Sequence, residues 1–119
     1  MILPILEVKD VDASVEFYKK LGFRHDGMMP GPDGNNMMGF MGFGDATLFV
    51  SKGEAAGVGK GVRFMVYVAD DQDIDAHYKT VKAAGVSFTE DIETKYWGDR
   101  TFTVNDPDGY NITIAKTVK

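Results

Sequence analysis

The stretch Val8-Lys9-Asp10-Val11-Asp12-Ala13-Ser14-Val15-Glu16-Phe17-Tyr18-Lys19-Lys20-Leu21-Gly22-Phe23 carries a pattern that returns later in the chain, and the return decides the fold. Asp10-Val11-Asp12-Ala13 reappears as Asp73-Ile74-Asp75-Ala76, a shift of 63 positions. At that shift Lys19 meets Lys82, Gly22 meets Gly85 and Phe23 meets Val86, and five of the fourteen positions from 10 to 23 are identical. Val11, Ser14/Val15, Tyr18 and Leu21 fall on one stripe of a helix, and so do Ile74, His77/Tyr78, Val81 and Ala84. An aspartate opens each helix, where a carboxylate accepts orphan amide protons. A glycine closes each, where a left-handed residue carries little penalty.

The flanks repeat as well. A β-rich run precedes each helix, at 2–8 and 62–68. After each helix comes a short extended stretch and then two more strand candidates joined by a tight turn. In the first half these are 37–42 and 46–51 around Gly44-Asp45, and in the second 101–104 and 110–115 around Asp106-Pro107-Asp108-Gly109. Each half reads β-α-β-β-β. The expected architecture is α+β: two tandem βαβββ modules forming a curved mixed sheet with a concave pocket, helices on the outer face. The first module spans about 1–51, a glycine-rich aperiodic linker 52–61 and the second module about 62–119, all in a single domain. Two units of this size are small to stand alone, so the sheets are expected to join edge to edge. Symmetric pairing with a second chain serves the same end, and a homodimer is expected.

Composition narrows the partners. The 119 residues are 44% hydrophobic and 12% aromatic, enough for a packed core. The net charge of −5 and the absence of basic blocks argue against nucleic acid. With no cysteine, disulfides, thiolate zinc sites and cysteine nucleophiles are excluded. No apolar run reaches membrane-span length, and the start reads as a strand and not as a secretion signal, so a cytoplasmic protein is expected.

The 8–23 segment resembles the opening helix signature of the glyoxalase/bleomycin-resistance superfamily, the vicinal oxygen chelate fold. Trp97-Gly98-Asp99-Arg100-Thr101-Phe102, followed by Asp106-Pro107-Asp108-Gly109-Tyr110, resembles its closing signature. The resemblance covers nearly the whole chain. It implies the duplicated fold, but not one activity, because that fold hosts lyases, dioxygenases, epimerases and drug-sequestering proteins. Metal-dependent members place a His, Gln or Glu on the first strand of each module and a Glu on each last strand. Those positions fall on Leu3 and Arg63, and on Phe49 and Thr113, none of them a suitable ligand. The implied reading is the metal-free branch, similar to bleomycin-resistance proteins, with no cofactor and no catalytic residue. An enzyme of the same fold, a lyase, isomerase or dioxygenase with ligands elsewhere, is the alternative. A sensor module that reads a metabolite is a third.

Alternation puts Leu3, Ile5, Glu7, Thr47, Phe49, Ser51, Arg63, Met65, Tyr67, Asn111 and Thr113 on one face. Apolar and aromatic side chains with a few polar handles suit a small-molecule pocket. The expected ligand contacts are Phe49, Tyr67, Arg63, Glu7, Met65, Thr113 and Asn111, joined by Met38 and Phe40 from the methionine-rich stretch. Trp97 matches a groove aromatic of the antibiotic-binding branch. The expected ligand is an aromatic or cationic compound.

Simpler explanations stand beside these. Phe49 and Tyr67 would also fit a dimer seam, and Arg63 and Glu7 would pair across adjoining strands. Met28, Met29, Met37, Met38 and Met41, interspersed with glycines, suggest a deformable flap, or equally core filling. His77 lies on a helix stripe, where a hydrogen-bonded half-buried imidazole is the common case. His25 is a lone candidate base. The Asp71–Asp75 run lacks the glycine and glutamate of a calcium loop and reads as a helix N-terminus.

Overall fold

A computed structural model describes residues 3–53 and 62–118. The first module runs β1 (Ile5–Val8), α1 (Val11–Leu21), β2 (Arg24–Pro30), β3 (Asn36–Phe43) and β4 (Ala46–Lys52). The second runs β5 (Arg63–Tyr67), α2 (Ile74–Ala83), β6 (Phe88–Thr94), β7 (Asp99–Asn105) and β8 (Asn111–Thr117). The α+β architecture of two βαβββ modules is as the duplication implies. The strands form two four-stranded mixed sheets, ordered β1-β4-β3-β2 and β5-β8-β7-β6, and among the described residues no ladder joins them into one. In each module the first strand pairs in parallel with the last, Ile5 beside Phe49 and Met65 beside Thr113. Apart from Gly53, the expected linker at 52–61 lies partly in β4 and otherwise outside the described residues.

The helix ends follow from the repeated aspartates and glycines. The Asp10 carboxylate accepts from the Ala13 amide at 3.1 Å, and Asp73 accepts from Asp75 and Ala76 at 2.9 and 3.2 Å. Gly22 ends α1 at φ +108°, and Gly85 follows α2 at φ +85°. The stripe of α1 is buried as expected at Val11, Ser14, Val15, Tyr18 and Leu21. That of α2 is thinner: Ile74 and Val81 are buried, His77 and Tyr78 half-buried, and Ala84 is an exposed cap. The first-turn aspartates are each tied to a strand of their own module. Asp12 accepts from the Asn36 side-chain Nδ2 at 2.8 Å, and Asp75 receives Arg100 Nη2 at 2.8 Å and Nε at 3.1 Å.

That last pair, chiefly through its hydrogen bonds, holds the Asp75 carboxyl below its usual range. A carboxylate depressed on folding adds stability at and above the ordinary carboxylate range, and the gain is lost as pH falls through the lowered folded value. Arg100→Gln should therefore shrink the difference in urea midpoint between pH 7 and pH 3. An unchanged difference would show that Asp75 gains nothing from Arg100.

The methionine- and glycine-rich stretch forms the strands β2 and β3, and the core-filling alternative holds for Met41, which is fully buried beside Phe43. Its glycines include one required by packing: a Cβ on Gly39 would sit 2.6 Å from Val15 Cγ2, so a side chain there would push α1 off the sheet. The buried cluster is continuous across both modules, from Val8, Val15, Leu21, Met41 and Val50 to Phe102, Val104, Ile112 and Ile114.

Polar contacts join the modules at the helix ends and at the Asp106–Gly109 turn. The Tyr18 hydroxyl, on a fully buried side chain, donates to Asp106 Oδ2 at 2.7 Å. Asp106 Oδ1 accepts the Asp108 and Tyr110 amides at 2.9 and 2.8 Å. Asp108 accepts the Lys9 amide, and the Tyr110 hydroxyl donates to the Glu7 carbonyl, both at 3.2 Å. Burial, then the Asp106 charge, pushes the Tyr18 hydroxyl far above its ordinary value. Burial also raises Asp106, outweighing the hydrogen bonds its carboxylate accepts. On the other side His77 Nε2 lies 2.8 Å from the Leu21 carbonyl, and the ring stacks on Phe43 at 5.8 Å. An apolar cleft of about 180 Å³ remains between Phe23 and Leu48 of one module and Phe64, Val66 and Ile112 of the other. None of the described helices is long and apolar enough to cross a membrane.

Candidate functional site

The helix-free face of each sheet carries the side chains that alternation singled out, but as two half-sites of different chemistry. On the first, register sets Ile5, Phe49 and Phe40 in a row across β1, β4 and β3, with Glu7, Ser51 and Met38 in the next. The Phe40 and Phe49 rings lie 4.6 Å apart, tilted by 59°. This half is apolar and aromatic. Leu48 and Val50, the intervening residues of β4, point into the core.

The second half-site is polar. Arg63 stands beside Asn111, Met65 beside Thr113 and Tyr67 beside Ala115, while Thr113 faces Thr103 and Thr117 faces Asp99 across β7. Arg63 does not reach Glu7, which lies on the other sheet; its ion-pair partner is Glu90, at 3.9 Å. Lys95 also reaches Glu90, at 3.5 Å, and pairs with Glu93, whose hydrogen bond raises the lysine above its usual range. Thr113, 2% exposed, exchanges a 2.8 Å hydrogen bond with Thr103, whose hydroxyl is 3.3 Å from Glu90 Oε1. Thr113 therefore forms the floor of the face and presents little surface. Tyr67 donates to Asp99 Oδ2 at 2.8 Å and Thr117 to Oδ1 at 3.0 Å. The Asp99 hydrogen bond raises the Tyr67 hydroxyl above its ordinary value and keeps it protonated.

Trp97 is half-exposed on the turn between β6 and β7, edge-on to the exposed Tyr96 at 5.0 Å. The Lys95 amide closes that turn on the Asp99 carbonyl at 2.7 Å. The single chain thus gathers Glu7, Met38, Phe40 and Phe49 on one sheet and Arg63, Met65, Tyr67, Asn111 and Thr113 on the other, with Trp97 on the turn at the end of the second. His25 is exposed and bonded through Nε2 to the Gly27 carbonyl, with no acid beside it in a catalytic arrangement.

Sequence reasoning assigned no role to Asp99, Thr101, Thr103, Glu90 or Lys95. The first three were within reach, because they alternate along β7 on the face that Thr113 shares. Glu90 was hidden by irregular register between β6 and β7, which breaks the period-two pattern, and Lys95 by its place in the turn that follows β6.

Two βαβββ modules with open, helix-free faces define a vicinal-oxygen-chelate-type domain. The chain belongs to the Glyoxalase/Bleomycin resistance protein/Dioxygenase superfamily, whose family model matches residues 4–114. No curated protein matches it in sequence. Among solved structures it is similar to TioX from Micromonospora sp. ML1, with a TM-score of 0.78 and 23% identity over 100% of this chain and 97% of that one. It is also similar to a glyoxalase-related enzyme from Clostridium phytofermentans, with a TM-score of 0.77 and 26% identity over 98% and 94% of the two chains. A bleomycin-binding protein complexed with bleomycin superposes with a TM-score of 0.71 at 20% identity, over 98% and 97%.

The divalent ion of metal-dependent members does not fit the residues here. Leu3 and Phe49 carry no donor atom, Arg63 is a cation already paired with Glu90, and the Thr113 hydroxyl is taken by Thr103. Among the described residues no three His, Cys, Asp or Glu side chains come together to hold an ion elsewhere.

Proposed function

We propose that this chain is a metal-independent binding protein that sequesters a small aromatic or cationic compound, such as an antibiotic of the bleomycin type. The observation that carries the reading is the replacement of the metal-ligand positions by Leu3, Phe49, Arg63 and Thr113 within an intact, aromatic-bearing face. The likeness to a bleomycin-binding protein supports it. Contacts at the helix ends leave Ile5, Met65, Tyr67 and Trp97 each 41–53% exposed in one chain. A homodimer that sets the aromatic half-site of one copy against the polar half-site of its partner would cover them and enclose the ligand.

Capture without chemistry makes a direct prediction. Bleomycin should raise the melting temperature progressively, with the logarithm of its concentration once above the dissociation constant, and the rise should survive excess EDTA. Trp97→Ala should weaken bleomycin binding about tenfold or more by calorimetry, the usual scale for removing a stacking tryptophan (about 1.4 kcal/mol or above). Stabilisation by a divalent metal alone, abolished by EDTA, would overturn the reading.

A further inference from the structure

We propose that Asp99 is the counter-ion for a protonated amine or guanidinium on the ligand, so that the second half-site selects cations by one buried carboxylate and not by the protein's diffuse negative charge. The inference rests on the small-molecule reading above and deepens it. Asp99 is 7% exposed at the base of the turn that carries Trp97, on the same face as Tyr67 and Thr117. Its two contacts are hydroxyl donors, Tyr67 at 2.8 Å and Thr117 at 3.0 Å. The described cations on this sheet and its β6–β7 turn are engaged elsewhere: Arg63 and Lys95 with Glu90, Arg100 with Asp75, and Lys116 with the Gln72 carbonyl. Among the described residues no lysine, arginine or histidine forms a salt bridge with Asp99.

A buried carboxylate held by neutral donors has lone pairs to spare and an unbalanced charge, a costly arrangement that a cation from outside relieves. Tyr67 is the movable part of this cover, being half-exposed while Asp99 is not. A ligand ammonium that displaces or joins the tyrosyl hydroxyl gains a charge-assisted hydrogen bond in a poorly hydrated position. Trp97, on the adjoining turn, offers a flat surface to the aromatic part of the same molecule. Of the other buried carboxylates, Asp106 and Asp108 belong to the Asp106–Gly109 turn, and the carboxylate on the Phe40–Phe49 face, Glu7, is exposed.

The test uses a matched pair of probes, 1-naphthylmethylamine, protonated at pH 7, and 1-naphthalenemethanol, titrated into the whole protein with affinity read by NMR shifts. The amine should bind about tenfold more tightly than the alcohol, one charge-assisted hydrogen bond's worth. Asp99→Asn should bring the two within about twofold of each other while the alcohol's affinity holds. Tyr67→Phe, which leaves the carboxylate in place with one donor fewer, should keep or enlarge the preference. Equal binding of the two probes by the native protein, or a preference that persists in Asp99→Asn or falls in Tyr67→Phe, overturns the counter-ion role alone. If neither probe binds the native protein while bleomycin does, the counter-ion role fails and sequestration stands; if bleomycin fails as well, both fall. Should Asp99→Asn not fold, the native ratio and Tyr67→Phe still decide.

Discussion

Replacing Asp106 with alanine is expected to destabilise the protein strongly although no apolar core is removed. The carboxylate is the shared acceptor for the buried Tyr18 hydroxyl and for the amides of Asp108 and Tyr110, and the first of these bonds ties α1 to the second module. Alanine leaves three donors without a partner in a place water does not readily reach, at about 1 kcal/mol or more each. The total of roughly 3 kcal/mol should lower the melting temperature by about 10 °C for a domain of this size. Tyr18→Phe removes only one donor and should cost about 1 kcal/mol, so a double-mutant cycle isolates the bond between the modules. Because burial raises Asp106 on folding, the native state takes up its proton more readily than the unfolded chain does. Its linkage contribution is greatest below the ordinary carboxylate range and declines as pH rises through the raised folded value. The gap between native protein and Asp106→Ala should accordingly widen as pH is lowered from neutral. A melting temperature within 2 or 3 °C of native (roughly half a kcal/mol at this size) would mean that the turn is held by something else.

Gly22→Ala is expected to cost about 2–3 kcal/mol, from two sources that a further mutation can separate. The residue sits at φ +108°, where a side chain is strained by about 1–2 kcal/mol. Its new methyl would also lie 2.7 Å from His77 Nε2, forcing the imidazole away from the Leu21 carbonyl and from Phe43. His77→Ala in the Gly22→Ala background should recover the part due to collision but not the backbone strain. Denaturant unfolding of the four variants measures both. If the second mutation recovers nothing, the collision is absorbed by a rotation of the ring.

The duplication was legible because helix caps and stripes are local. Asp10 and Asp73 announce two helix starts, Gly22 and Gly85 two stops, and the apolar spacing between them needs no knowledge of distant chain. The strand faces were legible for the same reason: period-two alternation from Ile5 and from Arg63 gives the observed sides. What alternation does not encode is which edge meets which. A single edge-joined sheet and two separate sheets bury the same residues along each strand, and the choice lies in contacts such as Tyr18 with Asp106, 88 positions apart. The same blindness sent Arg63 to Glu7, when its partner Glu90 comes from an irregular strand of its own module. His77 read correctly as a hydrogen-bonded, half-buried imidazole, yet its acceptor lies at the end of the other helix. Thr113 shows a related limit. A threonine on the open face looks like lining, but a second threonine across the ladder turns its hydroxyl inward.

The parallel pairing of first strand with last has a consequence for synthesis on the ribosome. The β2-β3-β4 meander can form as soon as it emerges, whereas β1 must wait for a partner 44 positions downstream, as Ile5 does for Phe49. Even then the nascent first half stays unfinished. Tyr18 lacks its native acceptor until Asp106 is translated, so the half-made protein holds a phenol destined for the interior whose hydroxyl has only water to bond. Commitment of the first half is thereby tied to completion of the second, and a chain stalled between them should remain open to proteolysis.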